Sequence, residues 1–275
     1  MSSHLREFSH QLAAIMPEVG NERLPSLLVL MLKSLVPFDN AVILHYRHNE
    51  QPLLLYNDAP PLEQEKQIDK FVNGVFLLDP FYRAAVDAHA SGLHRLSDLA
   101  PIGFEKTEYY RSYFRYTEIK DEIGFIIHLS AGQFINISMG RVSLSQRFNR
   151  THINVLEDIT EVIETVCKLQ WATENGPQQA PENKLPGQLD SALKDFGTAY
   201  LTDRETQVVQ LFLHGHSTKS IAERLGISPE TVKLHRKNSY AKLDVSSQAE
   251  LFHLFIDSLA SLSNYSGGDP LVGYL

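Results

Sequence analysis

The sequence predicts two folded units of different class: an α+β N-terminal domain, with an antiparallel sheet flanked by helices, and an all-α four-helix C-terminal domain holding a helix-turn-helix. Three observations predict this. Between residues 40 and 140, β-rich runs come in two pairs, each broken by a short polar or glycine-containing turn and surrounded by helical periodicity. After Trp171 the composition shifts, and ATENGPQQAPENKLPGQLDS carries Pro, Gly, Gln and Asn with little apolar periodicity, the mark of a linker. Beyond it, two short helical patterns meet at Gly226, the spacing of a helix-turn-helix. The expected boundaries are 1–171 for the first domain, 172–197 for the linker, 198–265 for the second domain and 266–275 for a tail.

Along the first domain, helical stretches at 3–16 and 22–35 precede strands at 41–47 and 52–56, separated by the polar HNEQ and so read as a hairpin. Helical patterns return near 62–72, 79–90 and 105–116. DEIGFIIHLSAGQFINISMG then gives two β-rich runs about Ala131-Gly132, a second hairpin signal. A long helix over 148–171 closes the domain, with Phe148, Ile153, Leu156, Ile159, Ile163 and Val166 as its apolar face.

A chain of 275 residues with 43% hydrophobic residues, 14 Phe and 11 Tyr can fill two cores. The net charge of −8 is unevenly spread: residues 198–262 hold seven Lys/Arg and seven Asp/Glu, so the acidity belongs to the rest. The single cysteine, Cys167, excludes an intrachain disulfide and reads as a packed core thiol. MSSHLREFSHQLAAIMPEVG lacks signal-peptide segments, and the longest apolar run, Leu27 to Leu32, is too short for a bilayer. A cytoplasmic location without membrane association is the expectation.

In the C-terminal domain Ile221, Ala222 and Leu225 share a helical face, and Gly226 supplies the backbone freedom that ends the helix. Ser228-Pro229 starts the next one: Ser caps, Pro sits at the first helical position, and Glu230 faces the positive end of the dipole. That second helix turns Val232, Ser239 and Leu243 inward and leaves Lys233, Leu234, Arg236 and Lys237 elsewhere. Lys and Arg can neutralise phosphates or donate to guanine edges, and Leu234 offers apolar contact, as to a thymine methyl. An isolated basic helix is equally read as a solvated face.

The spacing is more specific than that. Leu201-Thr202, Arg204-Glu205, Gly215, Ser217, Lys219, Ile221-Ala222, Leu225, Ile227-Ser228, Thr231-Val232-Lys233, His235, Lys242-Leu243 and Val245 resemble the C-terminal DNA-binding domain of the LuxR/FixJ (GerE-type) regulators. The resemblance implies a four-helix domain that binds double-stranded promoter DNA. It implies Lys233, Leu234 and Lys237 at base edges, and Thr218, Ser228, Thr231, His235 and Arg236 nearer phosphates, with Lys219 part of the same surface. Two positions depart from the family pattern: Ser239 stands where an apolar residue is usual, and Gln248 where Arg is. The last helix, about Gln248 to Leu262 with Leu251, Leu254, Phe255 and Leu259 on one side, resembles the family's dimer-forming helix and serves equally as the fourth wall of a small core.

The N-terminal domain then reads as a GAF- or PAS-like, or autoinducer-domain-like, sensor. A phosphoacceptor receiver is excluded by the lack of an alternating parallel pattern with an early acidic pair. Asp79-Pro80 resembles the Asp-Pro of acyl-homoserine-lactone sensors, yet Lys66 and Lys70 stand where that class carries aromatic partners, which disfavours such a ligand. The aromatic-rich LLDPFYRA and TEYYRSYFRYTEIKDE are the candidate pocket walls. There Asp79, Asp121 and Glu122 could face a cationic group while Tyr46, Tyr56, Tyr82, Tyr110 and Phe114 enclose it. The plainer reading makes Asp79 a helix cap, the aromatics core, and Asp121-Glu122 surface partners of Arg111 or Arg115.

No catalytic, cofactor or metal set emerges: His214 and His216 alone are a weak metal signal, and Cys167 lacks a neighbouring base. The expected protein is a non-enzymatic, one-component transcriptional regulator, a homodimer on a two-half-site operator, with a small metabolite as ligand and RNA polymerase as a further partner. The competing expectation is an N-terminal protein-interaction or dimerisation module without a small ligand. The 148–171 helix and the linker are the expected coupling elements.

Overall fold

Strict alternation of side chains along each strand divides the N-terminal domain into two cores, one on each face of a single sheet. The computed structural model describes residues 2–47, 50–58, 61–130, 132–142, 147–172, 186–214, 216–260 and 267–274. Helices α1 (Ser2–Ile15) and α2 (Leu24–Leu35) lead into the hairpin β1 (Asn40–Arg47) and β2 (Leu53–Asn57), followed by α3 (Pro61–Val72) and α4 (Pro80–Asp87). Next come β3 (Gly92–Arg95), α5 (Leu96–Leu99), α6 (Glu108–Ser112), and the hairpin β4 (Asp121–Ser130) and β5 (Gln133–Arg141), closed by α7 (Arg150–Asp158) and α8 (Thr160–Trp171). The five strands lie in the order β2-β1-β5-β4-β3, with every pairing antiparallel.

Ala41, Ile43, Ile123, Phe125, Ile127, Ile135, Ile137 and Met139 face one side and pack with Leu28, Leu32, Leu156, Ile163 and Cys167 from α2, α7 and α8. The opposite side, carrying Leu44, Tyr46, Ile126 and Phe134, is covered by Phe71, Phe76, Phe81, Tyr109 and Tyr113. Both expected hairpins are present. The short edge strand β3 is not among the expected elements; GLHR offers four residues with little alternation to signal it. The expected long closing helix is broken at Ile159 into α7 and α8. The expected 105–116 helix becomes α6 between 3-10 turns at Phe104–Lys106 and Phe114–Thr117.

Of the expected linker, residues 173–185 lie outside the described ones, whereas Pro186–Asp195 forms a further helix, α9. The C-terminal helices are α10 (Asp203–Leu213), α11 (Thr218–Leu225), α12 (Pro229–Lys242) and α13 (Gln248–Ala260). Capping explains where they start. Thr202 and Glu205 form a reciprocal capping box, and Ser217 and Ser228 each accept from the backbone N–H three residues on. Gly226, at φ 64°, ends α11 in the left-handed region. Buried Glu205 also accepts from Lys242 Nζ at 2.6 Å, tying α10 to the end of α12. Burial raises its pKa, but the hydrogen bonds from Lys242 and Thr202 outweigh that and hold it below the usual range.

The two units are joined by more than chain. Phe196, Leu251, Phe252, Phe255 and Leu259 are buried in the same apolar cluster as Phe71, Phe76 and Tyr113. Phe196 and Phe255 meet edge to face, with ring centroids 5.2 Å apart. A Cβ placed on Gly74 would stand 3.1 Å from Leu259 Cδ1, so glycine there lets α13 sit close above the 3-10 turn Val75–Leu78. Within the expected tail, Asp269 accepts from the backbone N–H groups of Gly197, Ala199 and Leu271, and Leu271 is fully buried. Residues 267–274 therefore fold back over the chain entering α10. Direct contact between the domains runs through α13 and α9, on the side of α6 and the Val75–Leu78 turn; of the expected coupling elements, the linker takes part through α9, whereas α7 and α8 lie on the opposite sheet face.

Candidate functional site

Polar residues on one end of a buried sheet face need partners, and here they open onto a cavity of about 100 Å³. β1 contributes Asn40, Val42 and Leu44, β4 Glu122, and β5 Asn136 and Ser138. Helix α3 supplies Gln67 and Phe71, and the α6 region Tyr109, Tyr113 and Phe114. Gly140 lets Asn40 approach, because a Cβ there would collide with Asn40 Oδ1.

Two carboxyls reach this cavity, Glu122 buried and Asp79 half-buried, and they are held differently. Asp79 caps α4, accepting from Tyr82 N–H at 3.0 Å and from the Tyr109 hydroxyl at 2.9 Å. Burial raises its pKa to about 6, against the lowering effect of those bonds. Glu122 shares the Ser138 hydroxyl with Asn136, whose Oδ1 accepts from it at 2.9 Å; burial first, and then the Asp79 charge, raise Glu122 to about 8. Among the described residues neither carboxyl pairs with a Lys, Arg or His. Gln67 Oε1 is buried without a hydrogen-bond partner.

Of the expected pocket residues, Asp79, Phe114 and Glu122 line the cavity. Tyr46 and Tyr82 lie behind it: Tyr46 stacks on Phe134 with centroids 4.5 Å apart and meets Tyr82 at 5.3 Å. Tyr110 turns to Phe104 and Phe114, outside the cavity wall. Tyr56 and Asp121 do not belong to the wall. Alternation puts Tyr56 on the other face, beside the α2 core and hydrogen-bonded to Asp58, while its neighbour Asn57 faces the cavity. Likewise Asp121 turns away from Glu122 to pair with Arg95 at 3.4 Å and accept from Phe148 N–H at 2.7 Å. The alternative pairing of these two acids with Arg111 or Arg115 is not made. The aromatics not singled out by number from the sequence are Tyr109, on α6, and Tyr113, the residue that follows its last turn.

The second surface is α12. Lys219, Ser228, Lys233, Leu234 and Lys237 are exposed, with Leu234 55% exposed; Thr218, Thr231, His235 and Arg236 are half-buried. Arg236 is anchored over the Phe212 ring, 5.4 Å from its centroid. Ser239 is fully buried and satisfied, its hydroxyl donating to His235 O at 2.8 Å, so the polar departure leaves no unpaired group. Gln248 Nε2 donates to Phe212 O at 3.4 Å. Cys167 is buried, which pushes its thiol up. His214 and His216 belong to no group of potential metal ligands among the described residues. No helix of the described residues is long and apolar enough to cross a membrane.

Residues 199–255, the segment holding α10 to α12 and most of α13, match the family model described as bacterial regulatory proteins, luxR family. A putative HTH-type transcriptional regulator from the exeN 3' region of Aeromonas salmonicida is 31% identical over 186 residues, covering 66% of this chain and 94% of that protein. The chain belongs to the LuxR family of bacterial regulatory proteins. It is thus a DNA-binding transcriptional regulator of the helix-turn-helix class. The transcriptional regulatory protein UhpA of Salmonella typhimurium is 47% identical over 57 residues, only 29% of its length, so that likeness is confined to the DNA-binding domain. The sheet domain of this LuxR-family chain resembles the VqsR LBD domain from Pseudomonas aeruginosa, with 26% identity and a TM-score of 0.51, covering 59% of this chain and 94% of that one.

Proposed function

We propose that this LuxR-family chain is a one-component regulator in which a small amine-bearing or aromatic metabolite, bound in the N-terminal cavity, controls promoter binding by α12. The observation that carries this is the position of α6. Tyr109 on it and Tyr113 directly after it wall the cavity, while α6 packs against α13 of the DNA-binding domain. A ligand that alters the packing of α6 biases how the DNA-binding domain is held, which is a population shift between two arrangements.

On DNA, Lys233, Leu234 and Lys237 are proposed to reach base edges. Thr218, Lys219, Ser228, Thr231, His235 and Arg236 are proposed to position the helix on phosphates. A domain neutral overall, with one basic helix, gains affinity by binding as a homodimer to two half-sites about one DNA turn apart. α13 turns Phe252, Phe255 and Leu259 toward its own N-terminal domain, leaving His253 and Asp257 exposed. Dimerisation through its apolar face therefore requires its release.

Selection of random-sequence duplexes by the full chain tests the output. The reading expects enriched paired half-sites with fixed spacing; enrichment of unpaired sites, or none, counts against it.

A further inference from the structure

The two cavity carboxyls are unequal in what they have left to offer. Asp79 already accepts two hydrogen bonds that its own fold needs, one capping α4 and one from Tyr109. Glu122, 8% exposed, has the Ser138 hydroxyl as its side-chain partner, a hydroxyl that also donates to Asn136 Oδ1, and has no cation beside it among the described residues. Gln67 Oε1, from the facing helix α3, is a second buried acceptor without a donor. A cavity with surplus acceptors on one side and Phe71, Tyr113 and Phe114 on the other complements a ligand with several donors on a positive centre and an apolar remainder.

We infer that Glu122 is the anchor and specificity residue for a compact protonated amine, its ammonium seated between Glu122 and Gln67 Oε1 and its apolar part against Phe71, Tyr113 and Phe114. The inference rests on the reading of the cavity as a small-ligand site. Size favours a compact head group: the cavity of about 100 Å³ is somewhat smaller than the apolar cavity of about 150 Å³ that holds benzene.

Proton balance supplies an independent signature. The titratable groups around Glu122 are Asp79, Tyr109 and Tyr113 from the α4 and α6 side and Tyr46 on β1, with Asp121 adjoining it along the strand but turned to the other face; all are acidic, so none favours its ionised form. Near pH 7 Glu122 is largely protonated in the empty cavity, given its elevation to about 8. The entering ammonium keeps its proton, and the Glu122 proton passes to the buffer.

Titration calorimetry of the full chain with 3-methylbutylamine, 3-methylbutanol and 3-methylbutanoate, compounds of nearly equal shape, tests this. The amine should bind at least about tenfold more tightly than either counterpart, with heat that varies with buffer ionisation enthalpy as proton release requires. Glu122→Gln should erase both the preference and the proton release, with Glu122→Asp keeping part of each; retained 3-methylbutanol binding by Glu122→Gln shows that its cavity is intact. Preference for the alcohol or the carboxylate, or unchanged amine binding by Glu122→Gln, overturns the inference and leaves the small-ligand reading standing. If none of the three binds and the chain purified from its host carries no small molecule by native mass spectrometry, both fall.

Discussion

Replacing Glu122 with Gln should make the ligand-free protein more resistant to unfolding as pH rises. Burial and the Asp79 charge raise the Glu122 carboxyl from 4.5 to about 8. A carboxyl raised on folding contributes its full stability below its unfolded value and loses it as pH climbs through the folded one. The sensitive window therefore runs from about pH 4.5 to about 8. At about 1.4 kcal/mol per pH unit the limit is on the order of 4 to 5 kcal/mol, and relaxation of the site brings it to about 3 kcal/mol. Gln keeps the shape, cannot ionise, and carries a penalty independent of pH. Asp79 titrates in both proteins, so the change in their difference with pH reports Glu122 together with its coupling to Asp79. In a domain of this size the change corresponds to about 6–12 °C in midpoint between pH 5 and 8, measurable by thermal unfolding followed by circular dichroism. A difference that stays constant from pH 5 to 8 would refute the picture of a buried, unpaired carboxyl.

Three further outcomes are expected. Lys237→Ala should cost about 1–3 kcal/mol of affinity for a selected operator and less for random DNA, whereas Arg236→Ala should weaken both alike and lower the salt slope by about one; fluorescence anisotropy at several salt concentrations separates the two. Glu205→Ala removes half of a capping box and the Lys242 pair, so it should destabilise the DNA-binding domain by about 1–3 kcal/mol at neutral pH. Because the Glu205 carboxyl is held below the usual range, that loss should shrink as pH falls through its folded value. Asp269→Ala leaves the Gly197 and Ala199 N–H groups without their acceptor and should cost about 1–3 kcal/mol, read as faster proteolysis between α9 and α10.

The elements legible in the sequence were those whose period matches their surroundings. The α10 to α12 segment is marked by caps, a glycine turn and an apolar stripe that all agree, and the two hairpins by paired β-rich runs. The cavity was harder to see because its sheet residues mimic a solvated face. In FINISMG, Asn136 and Ser138 alternate with Ile135, Ile137 and Met139, a pattern equally suited to water or to an enclosed polar site. One-residue phase decided Glu122 against Asp121 and Asn57 against Tyr56, and a segment that changes from α-helix to 3-10 turn conceals whether Tyr109 or Tyr110 faces inward. The packing of α13 on the N-terminal domain had no local signal, since an apolar helix face is the same whether a dimer partner or its own chain covers it.

The internal burial of α13 also gives the proposed ligand something to act on. Phe255 and Leu259 are covered by the domain that holds the cavity, and only α6 and the neighbouring 3-10 turn separate them from the cavity wall. Coupling over so short a path needs no distant relay, only two packings of α6 with different preferences for an occupied cavity.

The most direct test of the central claim is operator affinity of the full chain, measured with low-molecular-mass fractions of a host-cell extract separated by charge. The account predicts that a fraction retained on a cation exchanger changes wild-type affinity by about tenfold or more and leaves Glu122→Gln unmoved. No response to any fraction, or an equal response from the two proteins, would contradict it.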